Sequence, residues 1–590
     1  MLPRPQSTVR LVRPALATAL VVAVAGGPHA WPDRRLSSDA EAVVASITAE
    51  DLRASVTVLA GDAMQGRGVG HAGNDRAVAY LASRFEDLGL EPGAGGAEPP
   101  SLRDGEAQSA APSPGPDRGY RQPVPLVTAE LGPGNMLRLP AGAPSRAPRE
   151  VGAGTEFYPV ATSPSGRAEG PVAFTGFGPP PLPESSPCPW PELRGRILLG
   201  LDGEPPTRRS GATRLVNGPE DLPRRARVAA QCGALALLLA SEDGRGPTFR
   251  SAWPARVSVA NRPVFLEDSV LPLPVARVSL SLAAAVLGPD RRGRPWRATQ
   301  LWDLGTRAAR AEAELGGVVL AAGPANRPVR LHTAVENPAV PSWNVVGYLE
   351  GADRHAREQT VVVGAHLDHD GLDADGRIFN GADDNASGTA AVLEIAEAFA
   401  RAAARGERPR RAVVFALWNA EEKGRFGSRV FVRTPLPAGR APVVNVNLDM
   451  VGRNEEVPAG LDPRFRGLAP TPPGPNANAV DLLGYTRSPE AAAIVGQESG
   501  AVGLEVRERY DTHVQDLLRR SDLWSFIEAG IPAVGFTTGL HPDYHQPTDD
   551  ADRIDYRKLE RVSRLAFRVA WRLADAAVPL TMAPPATTEP

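Results

Sequence analysis

The stretch FNGADDNASG, residues 379–388, sets Asp383 and Asp384 side by side, just ahead of small residues and an apolar run. Adjacent carboxylates repel, so such a pair where an apolar strand turns into a helix calls for a compensating positive charge. Four more segments end in groups of the same kind. VVVGAHLDHDG closes on His366, Asp368 and His369, RAVVFALWNAEEKG on the pair Glu421 and Glu422, and VVNVNLDMVGRN on Asp449. GLHPDYHQPTDD follows the apolar IPAVGFTTG and carries His541 and His545. Imidazoles and carboxylates without thiolates form a borderline-to-hard donor set, suited to zinc and tolerant of cobalt or manganese. Each motif alone has an ordinary explanation: a hydrogen-bonded His–Asp pair, a solvated helix start, an Asp–Asp turn. Five of them at the ends of strand-like runs in one region point to a single site of metal-ligand chemistry.

The elements that must position these groups are legible from about residue 326 onward. SWNVVGYLEG, QTVVVGAHLD, RAVVFALWNA and APVVNVNLDM are β-branched apolar runs, and GTAAVLEIAEAFARAAA has helical character. Apolar runs without alternation, separated by helices, predict an α/β domain whose mixed, mostly parallel sheet is covered on both faces. In such folds ligands bind beyond the carboxyl ends of the strands, where the polar groups fall here. Upstream, ITAEDLRASVTVLAGD starts a helix at Thr48, and NDRAVAYLASRFEDLGLEPG has helical spacing that ends at Gly89. Between them and the later region, RGRILLGLDGE, PRRARVAAQCGALALLLASED and VLPLPVARVSLSLAAAVLG read as strand, helix–strand and strand–helix.

The ordered set AHLDH, NGADDNASG, NAEEKGRFGS, NLDMVGR and YHQPTDD resembles the signature of the secreted dizinc aminopeptidases among the zinc exopeptidases, relatives of glutamate carboxypeptidases and glutaminyl cyclases. The stretch LRASVTVLAGDAMQGRGVGHAGNDRAVAYLASRFEDLGLEP resembles the N-terminal part of that family, and the middle region resembles an inserted protease-associated domain. The resemblance implies a three-layer zinc-exopeptidase domain and two zinc ions per chain, with His366 and Asp449 on one, Glu422 and His545 on the other, and Asp384 bridging. It implies Glu421 as general base, Asp368 orienting His366 through the other ring nitrogen, and Ser521 near the amino end of the substrate. It also implies a cis peptide at Asp384–Asn385. The expected activity is aminopeptidase hydrolysis of a peptide or protein, by water activated at the zinc pair. A carboxypeptidase or other amidohydrolase of the same family is the alternative. A peptidase-like binding protein would be expected to have lost ligands, and none of these positions is lost.

The implied organisation is a signal peptide over 1–25, the N-terminal part of the peptidase over 40–150, the inserted domain over 151–325, the catalytic domain over 326–578 and a disordered tail over 579–590. Arg4, Arg10 and Arg13 precede an apolar core too short to span a bilayer, and Ala23-Val24-Ala25 offers a cleavage site. The mature chain is therefore expected to be secreted or periplasmic, with no membrane partner after cleavage. With 590 residues and a net charge of −3, there is room for two or three domains and no electrostatic reason to expect nucleic acid. Cys188 and Cys232 are the only cysteines; in an exported chain they can pair, while Cys232 in an apolar segment equally suits a buried thiol.

Overall fold

The computed structural model describes residues 36–94, 119–141, 148–179, 182–183, 185–202, 221–241, 249–253, 263–290, 292–311, 319–356 and 358–584. The expected signal peptide lies outside the described residues. The central sheet contains strands β1 (Trp343–Leu349), β2 (Gln359–His366), β3 (Ala412–Trp418), β4 (Ala441–Leu448), β5 (Ala479–Leu483), β6 (Glu505–Arg507) and β7 (Ala533–Thr537). Their order is β1-β3-β2-β4-β7-β5-β6, with Glu91–Pro92 and Arg121–Pro123 both pairing with β1. β3, β2, β4 and β7 run parallel, β1 and β5 join antiparallel, and β6 is parallel to β5. The architecture is thus mixed and largely parallel.

The apolar runs follow from burial on both faces. Val361, Val363 and Ala365 of β2 and Val413, Phe415 and Leu417 of β3 enter one core, closed by helices α1 (Ala49–Leu59), α2 (Ala72–Asp87), α3 (Gly388–Ala404) and α5 (Tyr556–Asp575). The alternate residues Val362, Val414, Ala416 and Trp418 enter a second core on the opposite face, with Phe431 and with Leu523 and Phe526 of α4 (Leu523–Glu528). Strands with no polar side have no period-two signature. α1 starts where its cap predicts, with the Thr48 hydroxyl accepting from the Asp51 amide at 3.2 Å. α3 spans the expected helical run, and Gly89, at φ 67°, follows the end of α2.

A smaller α/β unit holds a six-stranded sheet in the order Ala321–Ala322, Val172–Phe174, Ile197–Leu201, Ala236–Ser241, Val275–Ser279, Phe157–Pro159. Strands Met136–Leu139 and Val329–Thr333 lie beyond the expected limits at 151 and 325. They nevertheless pair with each other, Leu137 and Leu331 joining the core of this unit. Cys188 and Cys232 form a disulfide there. The tail departs from expectation over Pro579–Pro584, which packs against the domain. Leu580 is buried, Met582 lies against the Trp418 core, and the Ala583 amide donates to the Arg487 carbonyl at 2.8 Å. Residues 585–590 lie outside the described residues.

Candidate metal centre

The ends of β2, β3, β4 and β7 bring four motifs together, and the turn before α3 adds the fifth. His366 is the last residue of β2, Glu421 and Glu422 follow β3, Asp449 follows β4, and His545 lies in the loop after β7. The order of the sheet alone places these ends side by side. Asp384 sits in the irregular helical turn Ala382–Ser387, and its peptide to Asn385 is cis. The Asn385 side chain fastens this turn to the end of β4: its Nδ2 donates to the Leu448 carbonyl at 2.9 Å and its Oδ1 accepts from the Gly388 amide at 2.9 Å. A Cβ at Gly388 would lie 2.5 Å from the Leu448 carbonyl oxygen, so α3 can start this close only with glycine.

Asp384 is shared between two groups of donors. Its Oδ1 lies 3.2 Å from His366 Nε2, which is also 3.3 Å from Asp449 Oδ1. Its Oδ2 lies 3.2 Å from His545 Nε2, which is also 3.5 Å from Glu422 Oε2. The outer ring nitrogens are held as well. His366 Nδ1 is 3.1 Å from the Asp368 carbonyl oxygen, and His545 Nδ1 is 2.8 Å from Asp370 Oδ2. Such partners fix the ring and leave Nε2 directed inward.

Asp368 therefore orients His366 through its main chain, since its carboxylate is 4.0 Å from Nδ1 and engaged elsewhere. It accepts the Glu421 amide at 3.0 Å and the Glu422 amide at 3.3 Å, so it fixes the turn carrying both glutamates. Ser521 lines the cavity, donates to Asp449 Oδ2 at 2.9 Å and accepts from Asn447 Nδ2 at 3.0 Å. Asp383 points away from Asp384. It accepts the Gly452 amide at 2.6 Å and faces the buried His541 at 3.2 Å, so His541 belongs with Asp383 and not with the donors around Asp384. Tyr544 does line the cavity, and its hydroxyl accepts from Arg520 at 2.6 Å.

Several residues that support the centre are given no role by the sequence. His369 reaches Glu422 Oε1 at 2.8 Å, and Asp549 accepts the amides of Asp383 and Asp384 at 3.0 and 3.1 Å. Arg67 is buried beneath the site, with its guanidinium donating to the carbonyls of Leu59, Leu367, Asn380 and Gly381 at 2.7–2.8 Å. The signals available were weak: His369 and Asp370 stand in the same HLDHDG run as His366, and Arg67 falls in the upstream stretch that carries the family resemblance.

The electrostatics test whether cations fit. Burial pushes the His366 imidazole down, yet Asp449 and Asp384 outweigh it and hold it well above its ordinary value. Burial likewise opposes protonation of His545, but Glu422, Asp370 and Asp384 push it up to about 12. Burial would raise Asp384, whereas hydrogen bonds from His366 and His545 hold it well below the carboxylate range. Burial, then repulsion from Asp522, Glu422 and Asp449, raises Glu421 well above its ordinary value against the pull of His366. The cluster thus demands positive charge at the imidazole–carboxylate junctions, which protons on the rings or divalent cations can provide. Nitrogen and carboxylate oxygen donors converging in two groups around a shared aspartate suit cations of the zinc type. The residues present fit them.

These groups line a cavity of about 390 Å³. The centre thus lies at the strand ends of a largely parallel sheet, with Glu421 beside it in the same cavity. Residues 344–570 match the model of peptidase family M28. A probable glutamate carboxypeptidase, AMP1 of Arabidopsis thaliana, is 27% identical over 424 residues, covering 66% of this chain and 51% of its own. A probable zinc metalloprotease of Pyricularia oryzae is 28% identical over 261 residues, 40% of this chain and 50% of its own. The chain spans about half the length of these two relatives. Among solved structures, an aminopeptidase from Aneurinibacillus sp. strain AM-1 is 17% identical with a TM-score of 0.45, covering 92% of this chain and 98% of its own.

Proposed function

We propose that this protein is a zinc-dependent exopeptidase, and specifically an aminopeptidase that removes N-terminal residues from peptides. The observation that carries the reading is the sharing of Asp384 between His366 with Asp449 and His545 with Glu422. His366, Asp384 and Asp449 would hold one zinc ion; Asp384, Glu422 and His545 would hold the second. When bound, the ions supply Lewis acidity, polarising a peptide carbonyl and making water acidic enough to be deprotonated near neutrality. Glu421 takes the proton from the attacking water on its carboxylate and returns it to the departing amine nitrogen. Asp368 holds the Glu421–Glu422 turn in place, and Ser521 steadies Asp449 beside the amino end of the substrate. Buried Leu483, Thr537 and Leu540 are among the residues that line the cavity.

A second reading, a carboxypeptidase, is favoured by Arg425, Arg519 and Arg520 in the cavity lining and by the naming of the Arabidopsis relative. N-terminally blocked peptides separate the two, because an aminopeptidase leaves them intact. The smaller α/β unit is read as a protease-associated domain placed against the mouth of the site, and the chain as secreted or periplasmic. No described helix is long and apolar enough to cross a membrane.

The Glu421→Gln protein tests the mechanism. It should keep about two zinc ions per chain and lose peptide hydrolysis by roughly 10²–10⁴-fold. Hydrolysis close to the parent rate would remove Glu421 from the role of base.

A further inference from the structure

Glu421 and Glu422 are successive residues, yet both line the catalytic cavity. In an extended strand they would face opposite ways, so the backbone must turn between the end of β3 and the pair. The turn falls at Ala420, which is buried and has a φ of 60°. A left-handed alanine persists only where its surroundings hold it firmly. Among the described residues no side chain donates a hydrogen bond to the Glu421 carboxylate, so its place depends on the backbone beneath it. Glu422 has a second hold, since His369 Nδ1 lies 2.8 Å from its Oε1.

Two buried asparagines supply that hold. Asn419 stands directly before Ala420 and accepts the Ala420 amide on its own Oδ1 at 3.0 Å. Asn74, near the start of α2, faces it. Asn74 Nδ2 donates to Asn419 Oδ1 at 3.0 Å, and Asn419 Nδ2 donates to Asn74 Oδ1 at 2.8 Å. The remaining side-chain donors are used as well, Asn74 toward the Arg67 carbonyl at 2.8 Å and Asn419 toward the Trp343 carbonyl at 3.2 Å. The Ala420 amide and the Arg67 carbonyl fix which end of each side chain is oxygen and which is nitrogen. On the main chain, the Asn419 amide donates to Asn344 Oδ1 at 2.9 Å. The carbonyls of Asn419 and Ala420 accept from the returning amides of Gly427 and Phe426 at 2.9 and 3.0 Å. A buried polar network with every donor paired specifies one conformation. Asp368 holds the amides that follow the turn; the asparagines hold the turn itself.

We propose that Asn74 and Asn419 are positioning residues for the general base: their reciprocal amide pair locks Ala420 in its left-handed conformation and so sets where the Glu421 carboxylate meets the attacking water. This rests on the role given to Glu421 above. Removing the Asn74 amide leaves Asn419 Nδ2 one acceptor short in a place closed to solvent, and the turn is freed to shift. The shift falls on Glu421, which nothing but its backbone holds, and spares Glu422, which His369 holds. Proton transfer is sensitive to such displacement, whereas metal binding is retained.

The test compares the full-length parent, Asn74→Ala, Glu421→Gln and the double variant on leucine 4-nitroanilide, or on acetyl-Leu-Glu should the parent cleave only that. Asn74→Ala should lower kcat about 10- to 100-fold, with KM and zinc content within about 2-fold of the parent. In the Glu421→Gln background the same substitution should cost less than about 2-fold, because the group it aims is gone. Asn74→Ser, which keeps a hydroxyl to donate to the Arg67 carbonyl, repeats the comparison with less disturbance of packing and should show the same non-additivity. A parental kcat in Asn74→Ala overturns the proposal, as does a loss confined to KM or zinc content, or a loss of equal size in both backgrounds. Failure of both variants to fold shows that the pair serves the fold and not the base, and overturns it too. If Glu421→Gln alone keeps parental activity, the base assignment itself fails; if Glu421→Gln loses activity while Asn74→Ala does not, only the positioning role fails. Cleavage of neither substrate by the parent ends the peptidase reading and this proposal with it.

Discussion

Replacing Arg67 with methionine tests how the centre is held from beneath. The guanidinium donates to four carbonyl oxygens on three separate segments, those of Leu59, Leu367, and the pair Asn380 and Gly381. Leu367 directly follows His366, and Gly381 lies three residues before Asp384, so one buried cation ties the supports of two predicted ligands together. Four hydrogen bonds from a charged donor, at roughly 1.5 kcal/mol each, amount to about 6 kcal/mol. Burial already works against the charge: it lowers Arg67 to about 10 from 12.5, with Asp384 and Asp368 pulling the other way. That shift corresponds to about 3 kcal/mol that the substitution gives back. The net expectation for Arg67→Met is a loss of about 3 kcal/mol in the unfolding transition of the peptidase domain, with zinc content falling as the two supports loosen. Arg67→Lys should recover only part, because one ammonium cannot reach four oxygens on three segments. Urea unfolding followed by tryptophan fluorescence, with metal analysis of the same preparations, measures both quantities. If Arg67→Met unfolds within about 1 kcal/mol of the parent and keeps its zinc, the brace argument is wrong.

Asp384→Asn should lower zinc content well below that of the parent, since both groups of donors lose their shared anion; undiminished zinc in the purified variant would remove Asp384 from the bridging role. Glu394 on α3 is buried, and burial, then Glu397 and Asp51, push its carboxyl up to about 7 from 4.5. Its raised value means that its contribution to stability is complete below pH 4.5 and is lost as pH rises through 7. Glu394→Gln should therefore be more stable than the parent at pH 8 by up to about 3 kcal/mol and show little gain at pH 4.5; an equal effect at both pH values contradicts this. The Cys188–Cys232 disulfide closes a separation of 44 residues in the smaller unit. Breaking it with paired Cys→Ser substitutions should destabilise that unit by about 4 kcal/mol in thermal unfolding, and an unchanged transition would show that the loop is restrained without it.

What the sequence reveals here, and what it conceals, divides by the range of the interaction. QTVVVGAH and RAVVFALW are legible as buried strands because each residue must be apolar whichever face it meets, and that requirement is written in the run itself. The ends of those strands are legible for the same reason: a histidine directly after Val361–Ala365, or a glutamate pair shortly after Ala412–Trp418, contradicts its surroundings unless a site explains it. Arg67 contradicts nothing locally. Its partners at Leu367, Asn380 and Gly381 lie 300 or more residues away and are main-chain carbonyls, which leave no trace in side-chain identity. Asp370 and Asp549 are concealed in the same way, since an aspartate in HLDHDG or PTDD looks like turn chemistry until His545 or the Asp384 amide is brought against it. His541 misleads for the opposite reason: it stands in the same segment as His545, but the loop turns its ring onto Asp383 and not onto Asp384. Leu580 shows the same limit at the other end of the chain. A Pro- and Thr-rich tail reads as unstructured, yet a single leucine and an amide bonded to Arg487 are enough to dock it, because the receiving surface was built by residues far upstream. Local periodicity therefore locates the ligands of such a centre, whereas the residues that aim and brace those ligands become visible only when the topology sets distant loops side by side.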